Sequence, residues 1–234
     1  MKHSNIIVSN SILKLINSVV ALFFQIILAT FFGTSINMDI YYISMAIPDW
    51  IYNVLITAVP KTYIPVHSKL EVTDTKRANV FSAAFLVVLL CLLFLIGVIL
   101  FLGVNKILLL LGSTYRTGDS YLLIKRMYYL SVVATLFVGC GVCFTSILHS
   151  QKRFIWPELT QIIKNFMYVG CVAYFISRFG IIGVNITILF CAIVQVFILF
   201  MLAKKYLKFE QIFMPEIRDV IYLFAPLLFF WDFK

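Results

Sequence analysis

Charge is what this chain has least of. Only 12% of its 234 residues are charged and 62% are hydrophobic, against about 25% and 45–50% in a soluble domain. That shortage excludes a water-soluble globular class and points to an all-α polytopic membrane protein. Phosphate-cradling glycine loops, histidine–carboxylate metal patterns, and a serine or cysteine nucleophile beside a partner base are also missing. An enzyme reading therefore has no footing, and no cofactor is expected. The three histidines, His3, His67 and His149, fall at span ends or in loops. Net charge is +9, but no basic block is interleaved with exposed aromatics. In a membrane protein such an excess marks one set of loops before it marks a nucleic-acid surface, so no nucleic-acid partner is expected. Cysteine is sparse and odd in number: Cys91, Cys140, Cys143, Cys171 and Cys191 all lie in apolar segments. The Cys140–Cys143 pair has redox spacing without the strand–helix context such a motif needs. All five read as polarizable packing residues. No small-x-small cleavage site follows the long first apolar run, so the N-terminal segment reads as a retained helix.

Long apolar runs are what the chain has in abundance. About 20 mostly apolar residues cross a bilayer core. That length gives six spans: Ile12–Phe32, Ile40–Val59, Val80–Val104, Met127–Leu148, Leu159–Ile176 and Ile181–Leu202. Residues 1–203 thus form a six-helix lobe. Residues 204–234 read as a basic linker and the first part of a seventh helix, Val220–Phe230, too short to cross. Twelve basic residues fall on one side: Lys2, Lys14, Lys61, Lys69, Lys76, Arg77, Lys152, Arg153, Lys204, Lys205, Lys208 and Arg218. Five fall on the other: Lys106, Arg116, Lys125, Arg126 and Arg178. The positive-inside rule then puts the N-terminus in the cytoplasm. The run Ile107–Leu111 is expected to lie at the interface or dip partway in.

Polar residues inside the spans are patterned. Lys14, Asn17, Ser18, Ala21 and Gln25 share one face of the first helix at about 100° per residue. Asp49, Asn53, Thr57 and Lys61 step by four along the second. Thr160, Gln161, Lys164, Asn165 and Tyr168 make a broad polar side on the fifth, whereas the third is polar almost nowhere and reads as lipid-facing. A charge at mid-bilayer costs about 2.5–3.5 kcal/mol and turns toward protein or water, so Pro48-Asp49 is no neutral padding. Interhelical hydrogen bonds of about 0.6 kcal/mol each account for Asn17 or Asn165 taken singly. They do not account for Asp49, Lys61 and Lys164 together, and a hydrated internal cavity is expected. On the fourth helix Ser131, Thr135, Gly139 and Ser146 form a small-residue face suited to close packing. Asn185 and Gln195 stand between cavity wall and plain packing.

Several of these residues also form a recognisable series. Phe32-Gly33, then Asp39, Tyr41-Tyr42, Ile47-Pro48-Asp49 and Tyr63-Ile64-Pro65 resemble the first two helices of the MurJ/MviN lipid II flippases. The run from Ile147 to Phe154 followed by Pro157 resembles the family's motif after helix four. The resemblance covers essentially the whole chain. It implies one lobe of a two-lobed exporter fold in the superfamily of multidrug, oligosaccharidyl-lipid and polysaccharide exporters. It also implies a bacterial inner membrane, alternating access, and an undecaprenyl-pyrophosphate-linked saccharide as the transported partner. The chain, ending within a seventh helix, is then expected to be the N-terminal half of a longer protein, by truncation or gene decay, ahead of a half that pairs with a separate C-terminal lobe. Departures touch the ligand site: Ser18, Phe24 and Thr30 stand where the family has cavity arginines, and Tyr52-Asn53 where it has an arginine pair. The family's glutamate is gone from Leu55–Ala58. Arginine reads pyrophosphate through paired, planar donors. Their loss leaves open an O-antigen or capsule unit in place of lipid II, an inactive remnant or scaffold, and cation-coupled drug export with Asp49 as the ion site. Under the flippase reading Asp39 is an outer-gate or helix-cap acid and Asp49 the intramembrane acid. Asn17, Gln25, Asn53 and Lys164 are cavity contacts, and Lys14 and Lys61 attract phosphate.

Overall fold

A computed structural model describes residues 2–111 and 118–208, with side chains over 11–110 and 118–208. Among the described residues the only regular structure is helical: α1 (Lys2–Phe32), α2 (Ile36–Thr73), α3 (Thr75–Leu111), α4 (Asp119–Ser150), α5 (Ile155–Phe179) and α6 (Ile182–Ala203), with a 3-10 turn at Lys204–Tyr206. Helices satisfy their own backbone hydrogen bonds, which hydrocarbon cannot do for them. All six are long and apolar enough to cross a membrane. The expected partial seventh helix, Arg116 and Arg218 lie outside the described residues.

Two helices far exceed a 20-residue span. At about 1.5 Å per residue, the 38 residues of α2 and the 37 of α3 reach well beyond a hydrocarbon core of about 30 Å. Ile107–Leu111, expected to lie at the interface or dip partway in, continues α3 without a break. The α2 helix runs through Pro48, Pro60 and Pro65. Each proline removes one in-helix donor and favours a bend, yet none ends the helix. It stops at Asp74, whose carboxylate accepts from the backbone amides of Lys76 (2.8 Å) and Arg77 (3.3 Å) and so caps α3. At the other end of α2 the N-cap position belongs to Ser35, and Asp39 sits in the first turn. There an acid complements the positive end of the helix dipole. The α1 and α5 helices both end at glycines with positive φ, Gly33 and Gly180.

Packing follows the order α1–α5–α6–α4–α2, with α3 against the outside of α2 and α4; α1 has no extended packing against α2. The basic end comprises the start of α1 and the ends of α2, α4 and α6. One apolar core lies toward the opposite end and draws on all six helices, through Phe24, Tyr41, Val104, Tyr128, Val172 and Val184 among others. A second lies toward the basic end and is built from α2, α3, α4 and α6, with Leu207 beyond them. Its buried residues include none from α1 or α5. The lobe is therefore sealed at one end, while at the basic end α1 and α5 stand apart from α2 and α4.

The α3 helix is peripheral, as its composition indicates. Leu102 is 81% exposed and Phe94 72%, surface that only lipid or another protein segment covers favourably. Its inner face is not wholly apolar. Ser82 holds the Tyr63 hydroxyl at 2.6 Å, and His67, fully buried, stacks on Tyr63 with centroids 5.2 Å apart. Glu71 lies 3.9 Å from His67 and accepts from Gln151 at 3.1 Å. His67, read from sequence as a span-end residue, thus belongs to a buried polar cluster joining α2, α3 and α4.

The glycines give this packing a direct test. A Cβ at Gly183 would stand 2.2 Å from the Phe175 carbonyl oxygen across the α5–α6 turn, whereas Gly170 has open space around it. Gly183→Ala is expected to lower stability by about 1–3 kcal/mol, and Gly170→Ala to raise it by up to about 1 kcal/mol through helix propensity. Thermal unfolding in detergent, compared between the two variants, checks the opposite signs.

Candidate functional site

Two adjoining cavities fill the space between the α1–α5 side and the α2–α4 side. The central one, about 330 Å³, is walled by residues of α1, α2, α4, α5 and α6, including Gln25, Tyr41, Asp49, Thr135 and Tyr168. The other, about 410 Å³, lies nearer the basic end and includes Lys14, Asn17, Pro60, His149, Glu158 and Gln195. They share Tyr52, Val138, Gln161 and Lys164 as a common wall.

Helical periodicity decides which side chains arrive there. On α5, Gln161, Lys164, Asn165 and Tyr168 fall within one broad face, and all four line the cavities. On α1 the face of Lys14, Asn17, Ala21 and Gln25 does the same, while Ser18 donates to the Lys14 carbonyl at 3.1 Å. The α2 stripe divides. A step of four residues advances about 400°, so each step drifts about 40° and the run from Asp49 to Lys61 turns through about 120°. Asp49 lines the central cavity, but Asn53 and Lys61 are exposed and line neither cavity. Asn53 donates to the Asp49 backbone carbonyl and Thr57 to that of Asn53, both at 2.9 Å. The face that α2 presents inward is instead Tyr41, Met45, Asp49, Tyr52, Ile56 and Pro60. Its spacing of 4, 4, 3, 4 and 4 holds the helical period. Asp39 lies beyond both cavities, toward the sealed end.

Cross-helix polar contacts hold the walls. Asn165 donates its amide to the side-chain oxygen of Asn17, tying α5 to α1. Gln195 donates to Gln161 at 2.8 Å, tying α6 to α5. Asn185 donates to the Met127 carbonyl (2.9 Å) and to the Ser131 hydroxyl (2.7 Å), tying α6 to α4. The Ser131 hydroxyl in turn has the Met127 carbonyl (2.9 Å) and the Met45 sulfur (3.1 Å) within reach as acceptors. Asn185 is thus packing glue and lines neither cavity, whereas Gln195 is cavity wall. The α4 small-residue face splits as well. Gly139 admits Leu93 and Leu55 at close range, Ser146 is buried against its own helix, and Ser131 and Thr135 reach the central cavity.

The charges are unequally provided for. Lys14, largely exposed, stands 4.0 Å from Glu158, a pairing worth little in water. Lys164 is only 7% exposed, and its ammonium lies 5.4 Å from the centre of the Tyr168 ring. Among the described residues no group of three or more histidine, cysteine or acidic side chains could hold a metal, and all five cysteines are free. Three cavity groups were not apparent from sequence. Glu158 and His149 look like span-end residues there, and Tyr52 stands out only as a replacement; the 4, 4, 3 spacing from Tyr41 was the available signal.

Six helices long and apolar enough to cross a membrane, packed around polar cavities, define a multi-pass membrane protein. Residues 28–231 match the family described as Lipid II flippase MurJ, and the chain belongs to that family. A curated relative, Lipid II flippase MurJ of Thermosipho africanus (strain TCF52B), is 26% identical over 191 residues, covering 80% of this chain and 38% of that protein. The fold matches a solved structure of lipid II flippase MurJ in an inward closed conformation, with TM-score 0.77, 20% identity, and coverage of 95% of this chain and 47% of that one. It also matches a MOP superfamily transporter from Pyrococcus furiosus, with TM-score 0.72, 15% identity and coverage of 93% and 49%. The chain thus spans about half the length of the solved structures it matches and less of the curated relative.

If the Asn165–Asn17 contact holds α1 in place, Asn165→Ala should cost about 0.6–1.7 kcal/mol. Asn53→Ala should stay within about 0.5 kcal/mol, because it breaks only a contact within its own turn. Unfolding in mixed detergent, read by far-UV circular dichroism, separates the two.

Proposed function

We propose that this chain forms the N-terminal lobe of an alternating-access flippase that carries an undecaprenyl-pyrophosphate-linked saccharide, lipid II or a related unit, from the inner to the outer leaflet for cell-wall synthesis. The observation that carries the reading is the polar cavity pair inside a MurJ-family lobe, set between α1–α5 and α2–α4, with a core drawn from all six helices toward the end away from the basic residues. A sugar–phosphate headgroup cannot cross hydrocarbon unaided, since buried polar and charged groups need partners. A lobe with a hydrophilic flank supplies them while the lipid tail stays among acyl chains. Lys14, Asn17, Gln25, Asp49 and Lys164 would meet the headgroup inside the lobe. Asn53 and Lys61, on the exposed strip of α2, would face the space completed by a second lobe. Asp39, near the sealed end, would act at the outer gate. Rocking of one lobe against the other about a midplane site is the general mechanism of transporters built from repeats.

A second reading keeps the mechanism and changes the cargo. Tyr52, where the family has arginine, is part of the shared cavity wall, and Phe24 lines the central cavity. Among the described residues that wall lacks the paired guanidinium fork of the family, which keeps an O-antigen or capsule unit as the alternative cargo.

Two measurements test these assignments. In a cysteine-free background, a cysteine at Lys76 should react with an impermeant maleimide only after permeabilisation, and one at Arg178 should react in intact cells. The reverse pattern would invert the orientation. In a strain depleted of its lipid II flippase, the chain joined to a C-terminal lobe should restore growth. Failure there, together with rescue of an O-antigen or capsule flippase mutant, would select the second cargo.

A further inference from the structure

Buried side-chain polar atoms without a hydrogen-bond partner are few among the described residues, and two of them belong to one ring. Ser35, Tyr128 and Asn185 each leave one such atom, whereas His67 leaves both its nitrogens. The ring is fully buried at the basic end of α2, and it alone of these four groups titrates near neutral pH. An unpaired buried polar atom is costly. On α2 the ring stacks on Tyr63 and has a Glu71 carboxylate oxygen 3.9 Å from Nδ1. From α3, Ser82 is hydrogen-bonded to the Tyr63 hydroxyl. From α4, Cys143 and Ser150 lie beside Tyr63, and Gln151, just past the helix, donates to Glu71 at 3.1 Å. The other charged groups on these helix ends, Lys69, Asp74, Lys76, Arg77, Lys152 and Arg153, are exposed. Glu71 is thus the one carboxylate within 4.0 Å of the ring among the described residues, and its side chain is about a third exposed. It connects an otherwise sealed imidazole to water.

We propose that His67 and Glu71 form one proton-binding site, whose occupancy decides whether Glu71 ties the end of α2 to the end of α4. Without the proton the imidazole is neutral, Nδ1 is unpaired and the carboxylate holds Gln151. A proton taken from water at Glu71 passes to Nδ1, the nitrogen that faces the carboxylate. Burial opposes charging of the ring and the adjacent carboxylate favours it. The proton-bound pair has no net charge, whereas the proton-free pair leaves one carboxylate without a counter-charge. The gap of 3.9 Å exceeds a charge-assisted hydrogen bond by about 1 Å. A turn of the Glu71 side chain closes it and draws the carboxylate off Gln151, which caps α4. The proton therefore frees the α4–α5 connection from the α2–α3 tip. The site lies off both cavities and is independent of the cargo.

The test follows the full-length protein that carries this chain, with isotope-labelled histidine and glutamine, in phosphatidylcholine nanodiscs by NMR. The titration runs from about pH 8 to about pH 5.5, across the histidine range. His3→Gln and His149→Gln assign the His67 ring by elimination, so the assignment needs no His67 variant to fold. Gln151→Leu assigns the Gln151 amide. The His67 ring should protonate within the range, and the Gln151 side-chain amide should shift with the same midpoint. Glu71→Gln should lower the His67 midpoint by about one pH unit, a tenfold loss of proton affinity. Gln151→Leu should raise it, because removing the competing donor frees Glu71 for the ring; binding and release are linked in both directions. His67→Gln should leave the Gln151 signal flat. A ring that stays neutral throughout overturns the site, as does a midpoint that Glu71→Gln leaves unmoved. A Gln151 signal that is flat in the parent, or that still titrates in His67→Gln, overturns the exchange of contacts. The flippase reading stands or falls separately, on complementation.

Discussion

Hydrocarbon offers no hydrogen bonds, and every polar group of this chain that enters it must find a partner inside the protein. The backbone meets that demand by being helical throughout the described spans. Many side chains meet it locally. Ser44, Thr57, Ser146 and Thr187 return their hydroxyl protons to the carbonyl three or four residues back, which lets a polar residue sit in an apolar helix without needing a neighbour. Others meet it by joining helices, as Asn165 does to α1 and Asn185 to α4. Lys164 and Asp49 lie on the cavities, whereas the buried polar atoms left without a partner, among them His67 Nδ1 and Nε2 and the Tyr128 hydroxyl, lie off them.

Unequal sealing of the lobe follows from where apolar residues are placed. Toward the end away from the basic residues all six helices contribute to one core, so α1 and α5 are drawn against α2 and α4. Toward the basic end the core draws on α2, α3, α4 and α6, because the inner faces of α1 and α5 there carry Lys14, Asn17, Glu158 and Gln161. These residues hold a cavity where a core would otherwise close. The α2 helix, with prolines at 48, 60 and 65, lies between the two regimes. Proline 48 removes an in-helix donor next to Asp49, which loosens the backbone where the carboxylate enters the central cavity.

Membership of the MurJ family and the departures from its arginine pattern fit one picture. The fold depends on helix packing, and that can be kept while ligand contacts change. Phe24 and Tyr52 occupy cavity wall with aromatic surface, and a lysine on α5 supplies a point charge rather than a fork. Such an exchange trades planar, bidentate recognition for a single mobile donor group.

Membrane class, the number of helices and the polar faces of α1 and α5 were readable from residue order alone. Each depends on composition or on a 3.6-residue period, and neither needs a neighbour to be known. The run Asp49, Asn53, Thr57 and Lys61 was misleading for a geometric reason: four-residue steps drift around a helix, and only contact with α4 shows which edge of the stripe turns inward. The inward face from Tyr41 to Tyr52 carries aromatic side chains, which composition alone cannot distinguish from lipid-facing ones. The helix ends, too, were underestimated for α2 and α3, because a hydrophobic ruler stops where polarity begins while backbone hydrogen bonding does not. Whether a lone lysine is paired, solvated or stranded depends on groups on other helices, Asn17 and Asp49 among them. Tertiary packing alone decided that Lys164 is buried without an acid beside it.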